Sequence, residues 1–287
     1  MGKEEQVVSA ERVRRDNHGD ISVLTIDNPP LATLTPEVRR ELFAALEVVE
    51  ADEAIAGVVI TGAGNVFASG SAATASEDEN EPDLAGLCDR IELSDKPVVA
   101  AIQGSALGGG LELALAAHLR VSSANVRLGS PEITVGLVPG AGGTQRLPKV
   151  IGGVAALKML LSGRAVSGEN AAKMGLVDVL AVGDVLDEAV AAARRLAAAG
   201  GELRRSSQRR DRLGEGTAFL EAVAAHRKMA HASPLEAPAR MIECVESALL
   251  LPFEIGRGME QAAYDDLVAS EDSKSLRHIF AADALDA

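Results

Sequence analysis

Three consecutive glycines, Gly108–Gly110, separate an apolar segment at 96–104 (KPVVAAIQG) from a helix-forming one (LELALAAH). The apolar segment is typical of a buried strand, and the glycines permit a close backbone approach where the helix begins. This helix carries one carboxylate, Glu112, which its helical neighbours Leu115 and Ala116 cannot pair. Because a buried, unpaired carboxylate is costly, either Glu112 has water or a distant partner, or its charge is needed at this place.

Buried strands and helices alternate along the first two thirds of the chain. Strands are predicted at 11–15, 20–26, 56–62, 96–104, 119–123 and 176–181. Thr35 is predicted to cap a helix that begins at Pro36. The apolar face of that helix is formed by residues three or four apart, namely Val38, Leu42, Leu46 and Val49.

The middle of the chain contains an irregular segment, and the last third shows helical patterns alone. Residues 126–153 are rich in Gly and Pro and are predicted to be mostly irregular. Beyond residue 184, helices are predicted at 187–199, 216–231, 234–250, 254–269 and 273–282. We therefore expect an α/β core at 1–205 and a helical region at 206–287. Since aromatic residues make up only 2% of the chain, Ala, Val, Leu and Ile must fill the core.

Charge and composition exclude several classes of protein. The net charge of −14 argues against nucleic-acid binding, which needs a basic surface. The arginine-rich segment 204–212 is interpreted as a solvated face or connector, and the acidic segment 77–83 as an exposed loop. No run of about 18 apolar residues predicts a membrane span, and the N-terminus lacks an apolar secretory signal.

Cysteine and histidine usage points away from metal sites and towards a reducing compartment. The two cysteines, Cys88 and Cys244, lie far apart in sequence and match no disulfide or metal-binding pattern. His226 and His231 are close together, but their spacing does not place them on one helix face. We therefore expect no metal and a cytoplasmic protein.

Three short segments carry possible chemistry, and each also has a purely structural interpretation. The segment FASGSA (67–72) follows a buried strand and could be an ordinary turn, while GSALGGGLE could reflect close helix–strand packing. Glu132, in SPEITVGLVPGAGGTQRL, could cap a helix or pair with Arg146. Taken together, however, two isolated carboxylates and two segments with available N–H groups are typical of an acid–base pair beside an oxyanion hole.

These segments resemble the crotonase, or enoyl-CoA hydratase/isomerase, superfamily. The resemblance rests on KPVVAAIQGSALGGGLELALAAHLRV, LGSPEITVGLVPGAGGTQRLPKVIG and SGRAVSGENAAKMGLVD, which together span about residues 96–178. The C-terminal segment PFEIGRGMEQAAYDDLVASEDSKSLRHIFAA resembles the end of the hydratase portion of multifunctional fatty-acid β-oxidation enzymes. We expect the dehydrogenase portion of those enzymes to be absent from this chain.

The resemblance implies a crotonase-like spiral of ββα units that binds an acyl-CoA thioester. It implies Glu112 and Glu132 as the catalytic pair, and Ser71 and Gly109 as the amides of an oxyanion hole. The implied substrate-binding residues are Ala68, Gly70, Gly108, Gly140 and Phe280. The implied reaction is hydration of 2-trans-enoyl-CoA to 3-hydroxyacyl-CoA, with no cofactor, because coenzyme A is part of the substrate.

Alternatives remain open at this point. The same pocket could move a double bond from position 3 to position 2, as an isomerase, or the chain could bind acyl-CoA without catalysis. An RNA-binding relative is disfavoured by the acidic charge. Ala72, Thr74, Ala282 and Asp283 depart from the usual pattern of the family and put its CoA phosphate contacts in doubt. A homo-oligomer, either a trimer or a dimer of trimers, is expected, unless the C-terminal helices cover their own core.

Overall fold

A computed structural model describes residues 11–70, 82–212, 214 and 216–285. Its strands are β1 (Val13–His18), β2 (Ile21–Ile26), β3 (Gly57–Gly62), β4 (Val66–Ser69), β5 (Val98–Ile102), β6 (Ser105–Leu107), β7 (Leu119–Ser122), β8 (Arg127–Gly129), β9 (Val166–Ser167) and β10 (Val179–Leu180). Its α-helices are α1 (Pro36–Ala51), α2 (Leu84–Leu93), α3 (Gly109–Ala116), α4 (Gly143–Ile151), α5 (Gly153–Ser162), α6 (Gly168–Met174), α7 (Val185–Ala199), α8 (Gly216–Ala230), α9 (Ala237–Leu250), α10 (Phe253–Ala269) and α11 (Glu271–Leu285).

The strands form two sheets that the chain visits in turn. One sheet has the order β1-β2-β3-β5-β7-β10, and the other has the order β4-β6-β8-β9. Successive turns supply one strand to each sheet and then a helix, as in β3-β4-α2 and β5-β6-α3. Apart from the β1–β2 hairpin and the β8–β9 pair, the strand pairs are parallel. The predicted α/β spiral of ββα units with a helical C-terminal region is therefore confirmed.

Helix α1 follows its sequence signals closely. Thr35 caps it, since its side chain accepts a hydrogen bond from the Val38 amide, and Pro36 is the first helical residue. The predicted apolar face is confirmed, because its members are fully buried: Val38, Leu42, Leu46 and Val49. This face packs in the main core, together with the β2 and β3 side chains Leu24, Ile26, Val58 and Ile60.

The prediction that 126–153 is mostly irregular is wrong. The segment contains β8, a 3₁₀ turn at Glu132–Val135 and the helix α4. Gly142, at φ +93°, provides the left-handed residue from which α4 starts, and α4 continues through Pro148 although proline is a poor helix former. Every residue of α4 is buried. Burial against α9 and α5 therefore outweighs the local sequence preference.

The helical C-terminal region packs against the core. Helix α9 contacts α4 and α5, and α10 contacts α9 and α4. The boundary between residues 205 and 206 stays a prediction. In the segment 204–212, Arg204 and Arg210 are exposed as expected, but Arg209 is buried and binds Asp211 at 2.7 Å, so the solvated-face interpretation does not hold for Arg209.

The acidic segment, the cysteines and the expected absence of membrane spans and metal sites can be checked only in the described part of the chain. The acidic segment 77–83 lies outside it except for Pro82 and Asp83, and Asp83 caps α2. Cys88 and Cys244 are buried free thiols. In the described ranges, no helix combines the length and the apolar character that a bilayer crossing requires. The same ranges contain no group of three or more His, Cys, Asp or Glu side chains that could hold a metal ion.

The packing of α1 predicts a site-specific loss of stability. Leu46→Ala removes a fully buried side chain and should lower the free energy of unfolding by about 2–5 kcal/mol, as cavity-forming substitutions do. Val48→Ala, on the same helix but 52% exposed, is the matched control and should change it by about 0.5 kcal/mol or less. Urea denaturation followed by circular dichroism measures both values. Equal losses in the two variants would contradict this packing.

Candidate active site

A cavity of about 520 Å³ opens where β4 and β6 end. The loops after these strands, the 3₁₀ turn at Glu132–Val135, the loop before α4, and helices α10 and α11 all line it. The lining includes these residues predicted from the sequence: Gly70, Gly108, Gly109, Glu112, Glu132, Gly140 and Phe280. Ser71 lies outside the described residues. Segments far apart in sequence therefore meet at this cavity.

Ala68 is the one described residue of the predicted set that does not line the cavity. It is fully buried in β4, and its carbonyl oxygen lies only 2.0 Å from the place where a Cβ on Gly110 would stand. Gly110 therefore cannot carry a side chain without moving α3 away from β4. Ala68 contributes to the site by allowing this close approach, and its predicted role in binding stays a prediction.

The Gly109 amide faces the end of β4 across a narrow gap. A Cβ on Gly70 would lie 2.9 Å from the Gly109 nitrogen, and a Cβ on Gly109 would lie 3.1 Å from Gly70 Cα. Gly109 is the first residue of α3, where backbone N–H groups have no helical acceptor. Among the described residues, no acceptor binds its N–H group. An N–H group of this kind beside a cavity suits an oxygen that carries negative charge.

Glu112 has the distant partner that its sequence context required. It is 5% exposed, and its Oε1 accepts hydrogen bonds from the amides of Ala141 at 2.7 Å and Gly143 at 2.8 Å. Burial raises the pKa of Glu112, while the two amides and the positive charges of Arg146 and Arg257 oppose this rise. Among the described residues, no group binds Oε2, so this oxygen is available to the cavity.

The Glu132 side chain reaches the cavity beside Gly108, which has no side chain in the way. A Cβ on Gly108 would lie 2.8 Å from Glu132 Oε1, so the missing side chain at Gly108 makes room for this carboxylate. Its Oε2 accepts a hydrogen bond from Ser130 Oγ at 2.6 Å. Burial, and then the negative charge of Glu112, raise the pKa of Glu132 to about 7, while the Ser130 hydrogen bond opposes this rise.

The two carboxylates therefore differ in how readily they ionise. Glu112 has two amides and two arginines that favour its charged form, whereas Glu132 has the Glu112 charge against it. Of the two, Glu112 is the group that ionises first as the pH rises, and Glu132 keeps its proton to near neutrality. Such a difference defines a base and an acid in one pocket.

The salt bridge from Glu132 to Arg146 that the sequence allowed does not form. Arg146 is fully buried and binds Glu92 at 3.0 Å and Asp89 at 2.8 Å. Asp89 also binds Arg257 at 3.0 Å. This network on α2, α4 and α10 places two guanidinium groups near Glu112. Sequence reasoning missed it because its members lie on separate helices with no shared motif.

Sequence reasoning also missed Glu260, although a signal was available. Glu260 lies in the buried stripe of α10 with Gly256, Ala263 and Leu267, and it is 1% exposed. A single carboxylate in an apolar helical stripe is the same signal that drew attention to Glu112. Burial, and then the Glu112 charge, raise the pKa of Glu260 to about 8.

This spiral of ββα units is the fold that the resemblance to the crotonase superfamily implied. Residues 16–241 match the family described as enoyl-CoA hydratase/isomerase, and the chain belongs to that family.

Known proteins support this membership over most of the chain. The peroxisomal bifunctional enzyme of Cavia porcellus is 35% identical over 270 residues, which cover 92% of this chain and 37% of that protein. A probable enoyl-CoA hydratase of Bacillus subtilis (strain 168) is 39% identical over 187 residues, which cover 62% of this chain and 72% of that protein. The solved structure of EchA1_1 from Mycobacterium paratuberculosis ATCC BAA-968 / K-10 is 27% identical with a TM-score of 0.70, covering 94% of this chain and 95% of that one. The chain thus spans little more than a third of the bifunctional relative.

The raised pKa of Glu132 predicts how stability depends on pH. An unfolded Glu titrates near 4.5 and the folded one near 7, so the native state binds its proton more tightly. The stability from this group is fully present below pH 4.5 and is lost as the pH rises to 7. Relative to wild type, Glu132→Gln should therefore gain about 3 kcal/mol across this window.

Urea denaturation at a series of pH values measures this difference. Glu169→Gln is the control: its exposed carboxylate binds Lys173, which lowers the pKa of Glu169, so its stability difference should move in the opposite direction. A pH-independent difference for Glu132→Gln would show that the surroundings of Glu132 do not raise its pKa.

Proposed function

We propose that the chain is an enoyl-CoA hydratase that adds water to 2-trans-enoyl-CoA and forms 3-hydroxyacyl-CoA. The observation that carries this proposal is the pair Glu112 and Glu132, which line one cavity and differ in their tendency to ionise. The Bacillus subtilis relative, whose name is probable enoyl-CoA hydratase, supports the same activity. Coenzyme A enters as part of the substrate, and the proposed reaction needs no further cofactor.

In the proposed mechanism, the thioester oxygen accepts a hydrogen bond from the Gly109 amide. Ser71 is the proposed second donor. As water adds to the β-carbon, negative charge moves onto the thioester oxygen, and the amides stabilise it. One donor of this kind is typically worth about 3–4 kcal/mol of the barrier.

Glu112 acts as the base and Glu132 as the acid in this mechanism. Glu112 Oε1 is held by two amides, which leaves Oε2 to orient a water molecule and take its proton. The hydroxide oxygen bonds to the β-carbon, and Glu132 gives its proton to the α-carbon. A pKa of about 7 suits Glu132 for this transfer, because a general acid works best with a pKa near the working pH. The next turnover begins once the Glu112 proton returns to solvent and Glu132 is reprotonated.

The cavity also suggests where the acyl chain lies. Gly140 faces the ring of Tyr264, since a Cβ on Gly140 would lie 3.0 Å from that ring. The proposed acyl end lies against this pair, with Phe280 of α11 on the same cavity. Because α10 and α11 line the cavity of their own chain, they support the alternative in which the C-terminal helices cover their own core. A homo-oligomer and a cytoplasmic location also remain proposals, and light scattering after size-exclusion chromatography tests the first.

A second candidate is Δ3-Δ2-enoyl-CoA isomerase activity in the same cavity. It is favoured by the placement of Glu132 past Gly108, because one carboxylate with a pKa of about 7 can both accept and donate a proton. Glu112→Gln separates the two activities, since it should remove hydration and leave isomerisation of a 3-enoyl-CoA. If the chain only binds acyl-CoA, wild type will bind crotonyl-CoA and turn over neither substrate.

The acid–base pair gives the main test of hydration. Glu112→Gln and Glu132→Gln should each lower kcat by about 10²-fold or more, because each removes one proton-transfer group. The assay follows the loss of the conjugated enoyl-thioester absorbance of crotonyl-CoA. Glu169→Gln, which changes an exposed glutamate on α6, is the control and should leave kcat unchanged. Undiminished turnover in both site variants would exclude this mechanism.

The proposed oxyanion hole gives a separate test. Gly70→Ala puts a methyl group 2.9 Å from the Gly109 nitrogen and should displace or shield that amide, lowering kcat by roughly 10²–10³-fold. Gly258→Ala is the control, since no atom beyond its chain neighbours and the adjacent backbone of α10 lies within 4 Å of its added Cβ. Thermal melting checks that both variants fold. A fully active Gly70→Ala enzyme would rule out this oxyanion donor.

A further inference from the structure

Four successive amides are shared alternately between two buried carboxylates. Ala141 and Gly143 donate to Glu112 Oε1 at 2.7 and 2.8 Å. Gly142 and Thr144 donate to Glu260 at 2.5 and 2.7 Å. We name this segment, residues 141–144, the amide loop; it leads into α4, where N–H groups lack helical acceptors. The two carboxylates come from distant parts of the sequence, Glu112 from α3 and Glu260 from α10.

Glu260 has no direct access to the cavity. It is 1% exposed and is absent from the lining. Both of its oxygens are occupied: Oε1 by the Gly142 amide, and Oε2 by the Thr144 amide and the Thr144 hydroxyl. The Thr144 hydroxyl is itself held by Gln145 Nε2 at 2.8 Å. A group enclosed in this way cannot contact the substrate, and the amide loop is its hydrogen-bonded connection to Glu112.

The alternation couples the two carboxylates mechanically. Successive amides in this loop point to opposite partners, so a shift of Gly142 or Thr144 must also move Ala141 and Gly143. Those two amides are the groups that oppose the burial-driven rise in the pKa of Glu112. If they move away, Glu112 holds its proton more tightly and becomes a poorer base at neutral pH.

We propose that Glu260 is a positioning residue for Glu112: by binding the amides of Gly142 and Thr144, it holds the amide loop so that the two remaining amides point at Glu112. This inference rests on the proposed role of Glu112 as the base in hydration. It extends the catalytic site to Glu260 on α10, a residue that does not itself line the cavity.

The ionisable groups around Glu112 come from four segments. Helix α10 supplies Arg257 and Glu260, α4 supplies Arg146, α2 supplies Cys88, and the 3₁₀ turn supplies Glu132. On α2, Asp89 and Glu92 bind Arg146, and on α9, Cys244 lies near Glu260. A substitution at Glu260 leaves all the other side chains of this set in the protein, so the changes at Glu112 come from the loop or from the lost carboxylate itself.

The pH dependence of kcat/KM for crotonyl-CoA distinguishes these two causes. In Glu260→Ala, the amides of Ala141 and Gly143 should lose their hydrogen bonds to Glu112. The acid limb, which reports the ionisation of Glu112, should therefore move upward by about one pH unit. The value at neutral pH should fall roughly 10–100-fold, with KM little changed, because the base is misplaced and substrate contacts are not. Glu260→Gln keeps one acceptor and should show a smaller shift in the same direction.

Leu267→Ala is the control for simple packing loss. Leu267 lies in the same buried stripe of α10 but has no polar group, so this variant should lose stability without moving the acid limb. An acid limb that stays in place in both Glu260 variants would reduce Glu260 to a structural residue. A downward movement would mean that Glu260 acts only by its charge. Either result overturns the proposal.

A second measurement does not depend on turnover. Infrared difference spectra between wild type and Glu112→Gln report the carboxyl band of Glu112, and its midpoint can be followed with pH. The same pair of spectra in a Glu260→Gln background should give a higher midpoint.

If wild type fails to hydrate crotonyl-CoA, the proposed function fails while this titration still tests the positioning role. If Glu260→Ala does not fold, Glu260→Gln and Thr144→Val, which removes only the hydroxyl donor, take its place, and an unchanged midpoint in both contradicts the proposal.

Discussion

The close approach of β4 to the start of α3 is the constraint on which the rest of the site depends. The Ala68 carbonyl lies where a Gly110 side chain would stand, and the loop at Gly70 lies within contact of the Gly109 backbone. This spacing brings the first turn of α3 to the cavity, so that one amide and the Glu112 side chain arrive together. A chain with larger residues at these positions would push α3 outwards, and Glu112 would lose its contact with the loop before α4.

The second physical problem is the crowding of three carboxylates, two buried and one half-buried, in one region. Glu112, Glu132 and Glu260 are each raised in pKa by burial, yet their surroundings differ. Backbone amides at the start of α4 and two guanidinium groups support charge on Glu112, whereas Glu132 is supported by the Ser130 hydroxyl and by its own backbone amide. The arginines are in turn held by Asp89 and Glu92, so the charges of the region are balanced over three helices. This balance lets neighbouring carboxylates keep separate ionisation states.

Much of the fold could be predicted from local patterns. The cap at Thr35, the periodic face of α1 and the apolar segments of β3 and β5 are determined by neighbours in sequence, and they occur where expected. Helix α4 could not be predicted, because its Gly and Pro residues disfavour a helix and only burial against α5 and α9 stabilises it. In the same way, the presence of Glu112 and Glu132 could be noticed in sequence, but their partners could not. The amides of 141–144 and the side chain of Glu260 become neighbours of Glu112 only through tertiary contacts.

The bond between Gly142 and Glu260 joins residues 118 positions apart. Closing so long a loop carries an entropic cost, and contacts of this kind form late relative to local helices and hairpins. While only the ββα spiral has emerged from the ribosome, Glu260 is therefore not yet available to bind the amide loop beside Glu112. Because these bonds need α10 in place, we expect the surroundings of Glu112 to be complete only after the C-terminal helices have packed against the spiral.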